Sequence, residues 1–170
     1  MRHVLVRSPV PRAVKRRLLY ALERGRLPRL HNPRTFTDKV NWRILNDRRS
    51  ILAFTCDKLR VKEEGAQLGI EVPGTLWSGT DVREAVGVQL PDNWVLKPNH
   101  RTHLVHFGHG TMPDTSALVS LTEGWLYDYQ GRQLGEWAYT QARPMLLIEE
   151  MLGDGRHVPL TSSCLRSTGS

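Results

Sequence analysis

The residues Asn93-Trp-Val-Leu-Lys97-Pro-Asn99 form a compact apolar stretch that ends on a lysine and a proline. A second apolar stretch, Arg143-Pro-Met-Leu-Leu-Ile-Glu149-Glu150, ends in paired acids. Short apolar runs bounded by proline, glycine or polar residues are typical of buried strands. Helical patterns occur before and between the two stretches, so the sequence predicts an α+β domain with α/β-like features.

Outward from these stretches, turn and cap residues indicate where further elements begin and end. Thr37 is a candidate cap for one helix, and Gly69 is a candidate stop for another. Gly108 and Gly110 are candidate turn residues in a hairpin-like segment. The predicted elements are helices at 11–24, 55–68, 81–88 and 122–129, and a strand at 70–77.

The charge of the chain is unevenly distributed. The 170 residues carry a net charge of +7. Residues 1–62 contain 17 Lys and Arg against 4 Asp and Glu, whereas residues 63–170 contain 7 against 13. This asymmetry indicates an anionic partner for the N-terminal part, either a membrane surface, an anionic polymer or a nucleic acid. Nucleic acid is the least favoured of these because no recognition motif is present.

Residues 11–24 are predicted to form an amphipathic helix. Val14, Leu18, Ala21 and Leu22 fall on one face at helical spacing, and basic residues crowd the polar side. One interpretation is a helix that lies on an anionic membrane surface. The other is a helix that packs on the domain with its basic face in solvent, and we favour this second interpretation.

The sequence lacks several patterns that would indicate a membrane span, a metal site or a known catalytic motif. No run of 18 apolar residues is present, and Cys56 and Cys164 match no metal-site spacing. We therefore expect a cytoplasmic protein, with the inner membrane surface as an alternative location. No Walker-type loop, G-x-S-x-G, C-x-x-C or H-E-x-x-H pattern occurs in the chain.

Lys97 is the first candidate site residue. A lysine at the end of a buried strand places a compact positive charge at the edge of a cleft, where it suits a phosphate group. The simpler interpretation is a strand-end lysine in solvent, which is the commoner case for a lysine taken alone. Lys97 therefore needs other residues beside it to indicate a site.

Glu149 and Glu150 form the second candidate. Neighbouring residues on a strand point to opposite faces, so one acid is expected to face a cleft while the other faces solvent. In a nucleotide site, the cleft acid could accept hydrogen bonds from ribose hydroxyls. A charged strand end without a function is the alternative.

A run of four histidines has a spacing of three residues, but no acid or cysteine accompanies it to complete a closed metal site. We therefore assign no metal ligands. A loop that faces an anionic ligand is the favoured interpretation of this run, which consists of His100, His103, His106 and His109.

Five segments in order give the chain a resemblance to the TupA-like ATP-grasp family, associated with teichuronopeptide and other surface-polysaccharide biosynthesis. The resemblance extends from about residue 31 to about residue 155. The segments are Asn32-Pro-Arg-Thr-Phe-Thr-Asp-Lys39-Val-Asn-Trp42-Arg, Cys56-Asp57-Lys58-Leu-Arg-Val-Lys62, Trp94-Val-Leu-Lys97-Pro-Asn99-His100, Gly135-Glu-Trp137-Ala-Tyr139 and Leu147-Ile-Glu149-Glu150-Met-Leu152.

The resemblance implies an ATP-grasp fold in which two α+β subdomains hold ATP between them. It implies ATP-dependent carboxylate–amine ligation in cell-envelope polysaccharide biosynthesis, with Mg²⁺ and an anionic polysaccharide precursor as further partners. Lys97 would contact the ATP phosphates, with Lys58 as a weaker candidate. The implied nucleotide-binding residues are completed by Glu149 and Glu150 at the adenine–ribose hinge and by Asn99 and His100.

The chain also departs from the pattern of this family. Arg101-Thr-His103 stands where the family has a glycine-rich flap, and the segments that would carry the Mg²⁺ ligands are missing. We therefore expect a truncation or frameshift in the tail and an inactive ligase. The alternative function is a basic, non-catalytic module that binds an anionic polymer or a membrane. The predicted parts are a basic helical segment at 1–30, an N-terminal ATP-grasp-like part at 31–92, a nucleotide-binding part at 93–155 and an aberrant tail at 156–170.

Overall fold

The computed structural model describes residues 10–127 and 129–152 and confirms a mixed α+β architecture. Helices precede a single sheet and connect two of its strands. The α-helices are α1 (Arg12–Arg24), α2 (Phe36–Asn46), α3 (Ser50–Thr55), α4 (Lys58–Gln67), α5 (Thr115–Thr122) and α6 (Tyr129–Leu134). The strands are β1 (Thr75–Gly79), β2 (Asn93–Pro98), β3 (His106–His109) and β4 (Leu146–Glu150), and 3-10 helices span Val82–Ala85 and Trp137–Gln141.

The sheet has the strand order β1-β4-β2-β3, and every neighbouring pair is antiparallel. The two apolar stretches predicted as buried strands are its central strands, so this prediction is confirmed. In their pairing, Val95 lies opposite Glu149 and Lys97 lies opposite Leu147. The sheet combines strands from two of the predicted parts of the chain. β1 comes from the part at 31–92, and the other three strands come from the part at 93–155.

One face of the sheet holds the hydrophobic core. Trp94 and Leu96 of β2 and Leu146 and Ile148 of β4 point to this face, where Leu118 of α5 packs against them. All five side chains are almost completely buried. Removal of their apolar surface from water is the main stabilising contribution here. The alternate residues of β2 and β4 must therefore point to the other face.

Close packing between Trp94 and Gly108 ties β3 to β2. The two residues are paired across the strands, and a Cβ atom on Gly108 would lie 2.1 Å from the indole ring. The prediction of Gly108 as a turn residue is wrong. Gly108 lies inside β3, where the Trp94 indole leaves no room for a side chain. Gly110 does lie in a bend, directly after β3, with a positive φ of 63°, and its carbonyl accepts a hydrogen bond from the Trp94 ring at 3.1 Å.

Side-chain caps explain why the N-terminal helices begin where they do. The hydroxyl of Thr35 accepts a hydrogen bond from the Asp38 amide at 3.2 Å and starts α2. Thr37 is therefore not the cap, because the helix begins before it. The helix predicted at 55–68 is α4, which begins three residues later because Asp57 caps it by accepting from the Arg60 amide at 3.0 Å. The predicted stop at Gly69 is confirmed by its left-handed φ of 72°.

Three predicted elements are displaced or shortened. The strand predicted at 70–77 begins at Thr75, where the chain first pairs with β4, and continues to Gly79. The helix predicted at 122–129 is wrong, because Asp114 caps an earlier helix, α5, and Gly124 turns the chain with a φ of 72°. The helix predicted at 81–88 is a single 3-10 turn.

Helix α1 packs through a different face from the one that its apolar spacing indicated. Leu19 and Tyr20 are buried, whereas Val14, Leu18 and Leu22 are exposed. Polar contacts select this orientation, because the Tyr20 hydroxyl donates to buried Asp38 at 3.0 Å. The exposed apolar row corrects the expectation that this face packs on the domain.

No helix in residues 10–127 or 129–152 is both long enough and apolar enough to cross a lipid bilayer. The predictions for the segment 156–170 and for Cys164 lie outside the described residues.

Candidate functional site

The face of the sheet opposite the hydrophobic core carries the candidate site. Alternation along β2 and β4 places Lys97 and Glu149 on this face, beside the buried residues Val95 and Leu147. The N-terminal part of α4 lies over the same face, because Lys58 and Lys62 both reach it. We call the group formed by Lys58, Lys62, Lys97 and Glu149 the lysine cluster.

Two lysines share the carboxylate of Glu149. The Lys97 Nζ contacts Oε1, and the Lys62 Nζ donates to Oε2 at 2.9 Å. The side chain of Glu149 is 7% exposed, against 15% for Lys62 and 26% for Lys97. Partial burial reduces screening by water, so these contacts are stronger than those of a surface ion pair.

Lys58 is held by main-chain oxygens at the end of β2. Its Nζ donates hydrogen bonds to the carbonyls of Pro98 at 2.8 Å, Asn99 at 2.8 Å and Arg101 at 2.7 Å. An ammonium group has three protons, so these contacts use its whole donor capacity. Burial, and then the nearby charge of Lys97, lower the pKa of Lys58 to about 8. Lys58 therefore positions the chain after β2 and adds positive charge behind Lys97.

Asn99 and His100 are buried under this turn rather than open to a ligand. The Asn99 side chain accepts from the Leu59 amide at 2.9 Å and donates to the Arg143 carbonyl at 2.9 Å. His100 is 1% exposed, and its Nε2 lies 3.0 Å from the Leu126 carbonyl oxygen. Both residues join β2 to neighbouring segments, so their contacts are those of positioning residues.

The two acids at the end of β4 point to opposite faces, as alternation along a strand predicts. Glu149 faces the lysines, whereas Glu150 is exposed and accepts a hydrogen bond from the amide of Gly74. Glu150 thus stabilises the entry into β1. Only Glu149 belongs to the lysine cluster.

An ion pair between Asp57 and Arg143 links the N-terminus of α4 to the segment before β4. Asp57 is 1% exposed, and its carboxylate accepts two hydrogen bonds of 2.9 Å from the guanidinium. Burial alone would raise the pKa of Asp57, but the hydrogen bonds from Arg143 outweigh it and hold this pKa well below the ordinary value. The pair aligns Lys58 and Lys62, which follow Asp57 on α4, with the sheet.

The four histidines do not form one group. His100 is buried, His103 is exposed in the loop after β2, and His106 and His109 lie on β3. The His109 Nδ1 pairs with the Asn93 side chain at 2.6 Å. Among the residues that the structure describes, no three His, Cys, Asp or Glu side chains are grouped to hold a metal ion.

His103 stands out in the loop after β2. It has a φ of +63°, a backbone region that is rare for residues other than glycine and mildly favoured by Asn, Asp and His. The loop thus adopts a glycine-like conformation at one position without a glycine. Arg101 beside it donates to the Gly124 carbonyl at 2.7 Å.

Two cavities lie near the cluster without being lined by Lys97 or Glu149. A recess of about 730 Å³ borders His100. A smaller cavity of about 220 Å³ is lined by Cys56, Glu136 and mainly apolar side chains. Burial, and then the charge of Glu136, raise the pKa of Cys56 to about 11. A thiol with a raised pKa is a poor nucleophile, which agrees with the absence of a cysteine-based motif.

Lys62 and Arg143 were not among the candidates from sequence. A signal for Lys62 was present, because residues four apart on a helix share a face and Lys62 follows Lys58 at that interval. No comparable local signal marks Arg143, whose partner Asp57 is 86 residues away.

Comparisons with protein-family models, with curated proteins and with solved structures find no match to this chain.

Proposed function

We propose that the chain binds ATP at the lysine cluster, as the nucleotide-binding part of a TupA-like ATP-grasp ligase. The observation that carries the proposal is the placement of Lys97 and Glu149. They are 52 residues apart in sequence, yet they lie in contact on one face of the two central strands. The ordered motifs of the sequence and the α+β fold support the same conclusion.

The charge balance of the cluster favours a polyphosphate. Two lysines contact the carboxylate of Glu149 and Lys58 lies nearby on main-chain carbonyls, which leaves a surplus of positive charge on a partly buried face. Lys97 is the most exposed of the three pairing side chains at 26% and has a flexible stem. An approaching phosphate can therefore take Lys97 from Glu149, while Lys62 continues to neutralise the carboxylate.

The contacts divide the cluster into two roles. Lys97 is the group that would bind a phosphate, and Lys58 is a positioning residue because its protons are bound by carbonyls. Glu149 holds Lys62 and Lys97 on the face of the sheet opposite the core. Binding would exchange the Lys97–Glu149 contact for a phosphate contact, while Lys62 stays paired with Glu149.

The described residues do not fit a Mg²⁺ site, because the one carboxylate of the cluster is already bound by two lysines and no other acid lies with it. Ligation of a carboxylate to an amine on a surface-polysaccharide precursor remains the reaction that the resemblance implies, and ATP binding is the part that these residues support.

Isothermal titration calorimetry on the full chain tests the proposal. We expect ATP to bind the wild-type chain and binding to fall at least tenfold in Lys97→Met, because a charge-assisted contact to phosphate is lost. Lys39→Met is the matched control, since Lys39 is an exposed lysine of α2 outside the cluster. Its affinity should equal that of the wild type.

Adenosine titrated under the same conditions separates the phosphates from the base. Weaker binding of adenosine than of ATP in the wild type, with no difference between the two in Lys97→Met, would support a phosphate contact at Lys97. A folded wild-type chain that fails to bind ATP, or equal affinities in Lys97→Met and Lys39→Met, would refute the proposal.

A further inference from the structure

An exposed apolar row runs along α1. Val14, Leu18 and Leu22 follow one another at intervals of four residues and are 44%, 41% and 46% exposed. Side chains at this interval lie on one stripe of a helix. The opposite side of α1 packs on the domain through Leu19 and Tyr20. Within the described residues, the row therefore faces away from the core.

A basic recess lies beside this row. Its volume is about 410 Å³, and its lining includes the three arginines Arg17, Arg29 and Arg34 together with His31. Arg17 also belongs to α1, three residues after Val14, so these two side chains are neighbours on the helix surface. The apolar row and the recess thus form one continuous surface, which we call the α1 surface.

The arginines of the recess differ from their neighbours in the same half of the chain. Arg16 pairs with Glu136, Arg26 with Asp38, and both Arg43 and Arg49 with Asp47, as the ion pairs show. Among the described residues, no carboxylate forms an ion pair with Arg17, Arg29 or Arg34. Their charge is available to an external anion.

We propose that the α1 surface docks on an anionic lipid bilayer, with Leu18 and Leu22 entering the interface and the recess holding lipid phosphates. A helix with an apolar stripe flanked by arginines is suited to lie in the plane of such an interface. Guanidinium groups bind phosphate through paired hydrogen bonds, which suits them to lipid headgroups.

The apolar row argues for a bilayer over a soluble polyanion. A polyanion would be bound by the arginines alone, and exposed leucines beside them would contribute nothing. A bilayer uses both features, because it offers negative headgroups above an apolar layer. The charge of residues 10–34, which contain eight Lys and Arg and one Glu, is complementary to such a surface.

Co-sedimentation of the full chain with lipid vesicles tests this proposal. The probes are phosphatidylcholine vesicles with and without about 30% phosphatidylglycerol at low ionic strength. We expect binding to the anionic vesicles only, and loss of that binding as salt is raised, because salt screens the headgroup attraction.

Two pairs of variants separate the apolar and charged contributions. Leu18→Gln with Leu22→Gln should weaken vesicle binding at least tenfold, since buried methylene groups are lost from the interface. The matched control is Leu68→Gln with Ile70→Gln, whose side chains are 75% and 58% exposed elsewhere. The control should bind as the wild type does.

The second pair removes charge. Arg29→Gln with Arg34→Gln should weaken binding about 30-fold, from roughly 1 kcal/mol for each arginine at the surface. Arg60→Gln with Arg132→Gln makes the same change in net charge at exposed positions outside the recess and should have a much smaller effect. Circular dichroism checks that all four variants keep the fold.

Failure of the folded wild-type chain to bind anionic vesicles would overturn the proposal. Equal losses in the recess variant and in its charge-matched control would also overturn it, because binding would then follow net charge alone. Binding to a soluble polyanion in place of vesicles, unchanged by the leucine substitutions, would assign the recess to a polymer instead. ATP binding at the lysine cluster is expected to be unaffected by these variants, so the two proposals fail independently.

Discussion

The guanidinium of Arg143 donates two hydrogen bonds of 2.9 Å to the carboxylate of Asp57, one to each oxygen. Asp57 is buried, so its charge depends on this partner for compensation. We expect Arg143→Met to lower the free energy of unfolding by about 2 kcal/mol, because it leaves a buried carboxylate without a cation, while the 39% exposure of the Arg143 side chain lets water screen part of the contact. Urea denaturation measures this loss.

Arg83→Met provides the control for that substitution. Its ion pair with Asp81 is exposed on both sides, with side chains 64% and 41% accessible. Exposed pairs contribute at most about 1 kcal/mol, so the control should be nearly neutral. Equal effects of the two substitutions would show that the burial of Asp57 does not matter.

Acid should weaken the fold through the same carboxylate. The pKa of Asp57 is held below its ordinary value in the folded chain. As the pH falls below about 4, the unfolded state therefore takes up a proton before the folded state does, and stability declines. Asp57→Asn should flatten this part of the profile, as measured by urea denaturation at several pH values. A profile that keeps the wild-type slope would contradict this assignment.

Glu149→Gln should be more damaging to stability than removal of either of its lysines. The substitution leaves Lys62 and Lys97 close together without a counter-charge, whereas Lys62→Met still leaves Glu149 paired with Lys97. We expect a loss of about 2 kcal/mol for Glu149→Gln and a smaller one for Lys62→Met. Glu150→Gln is the control on the opposite face, and denaturation midpoints give the ranking.

Gly108→Ala should destabilise the hairpin formed by β2 and β3. A methyl group at this position would overlap the Trp94 indole, which lies 2.1 Å from the Cβ position. Overpacking of this kind costs about 1–3 kcal/mol. In the background of Trp94→Leu, which removes the ring, the same substitution should cost less, and a double-mutant cycle measures the difference. An equal cost in both backgrounds would exclude the indole contact as its cause.

Cys56 should react slowly with thiol reagents while the chain is folded. Burial and the charge of Glu136 raise its pKa to about 11, from an ordinary value of 9.0. Labelling of a Cys164→Ser chain at pH 8 should therefore be about 100-fold slower in buffer than in urea, because only the thiolate reacts. The folded-state rate should keep rising with pH up to about 11. A rate that levels off near pH 9 would indicate an unperturbed thiol.

The sequence predicted the central strands well because their information is local. Each is a short apolar run with a polar end, and strand alternation alone separates Glu149 from Glu150. The position of Lys97 on the face away from the core follows from the same alternation once Trp94 and Leu96 are assigned to the core. This part of the candidate site needs no knowledge of distant segments.

Other features depended on partners that are far apart in sequence. Lys62 reaches a carboxylate 87 residues away, and its placement depends on how α4 lies across the sheet. The orientation of α1 was mispredicted because the prediction rested on the spacing of its apolar residues. In the fold, the hydrogen bond from Tyr20 to Asp38 turns another face of the helix towards the domain. Periodicity indicates which residues share a face but not which face a neighbouring element will cover.

The alternation of core-facing and site-facing residues along β2 and β4 disfavours incorrect strand registers. If β2 slipped by one residue, Lys97 would enter the apolar layer and Trp94 would leave it, and a slip of β4 would exchange Glu149 and Ile148 in the same way. Either mispaired sheet would bury a charge and expose a large apolar side chain at the same time, so it would be strongly disfavoured. The strand register that buries the core is therefore the same register that places Lys97 beside Glu149.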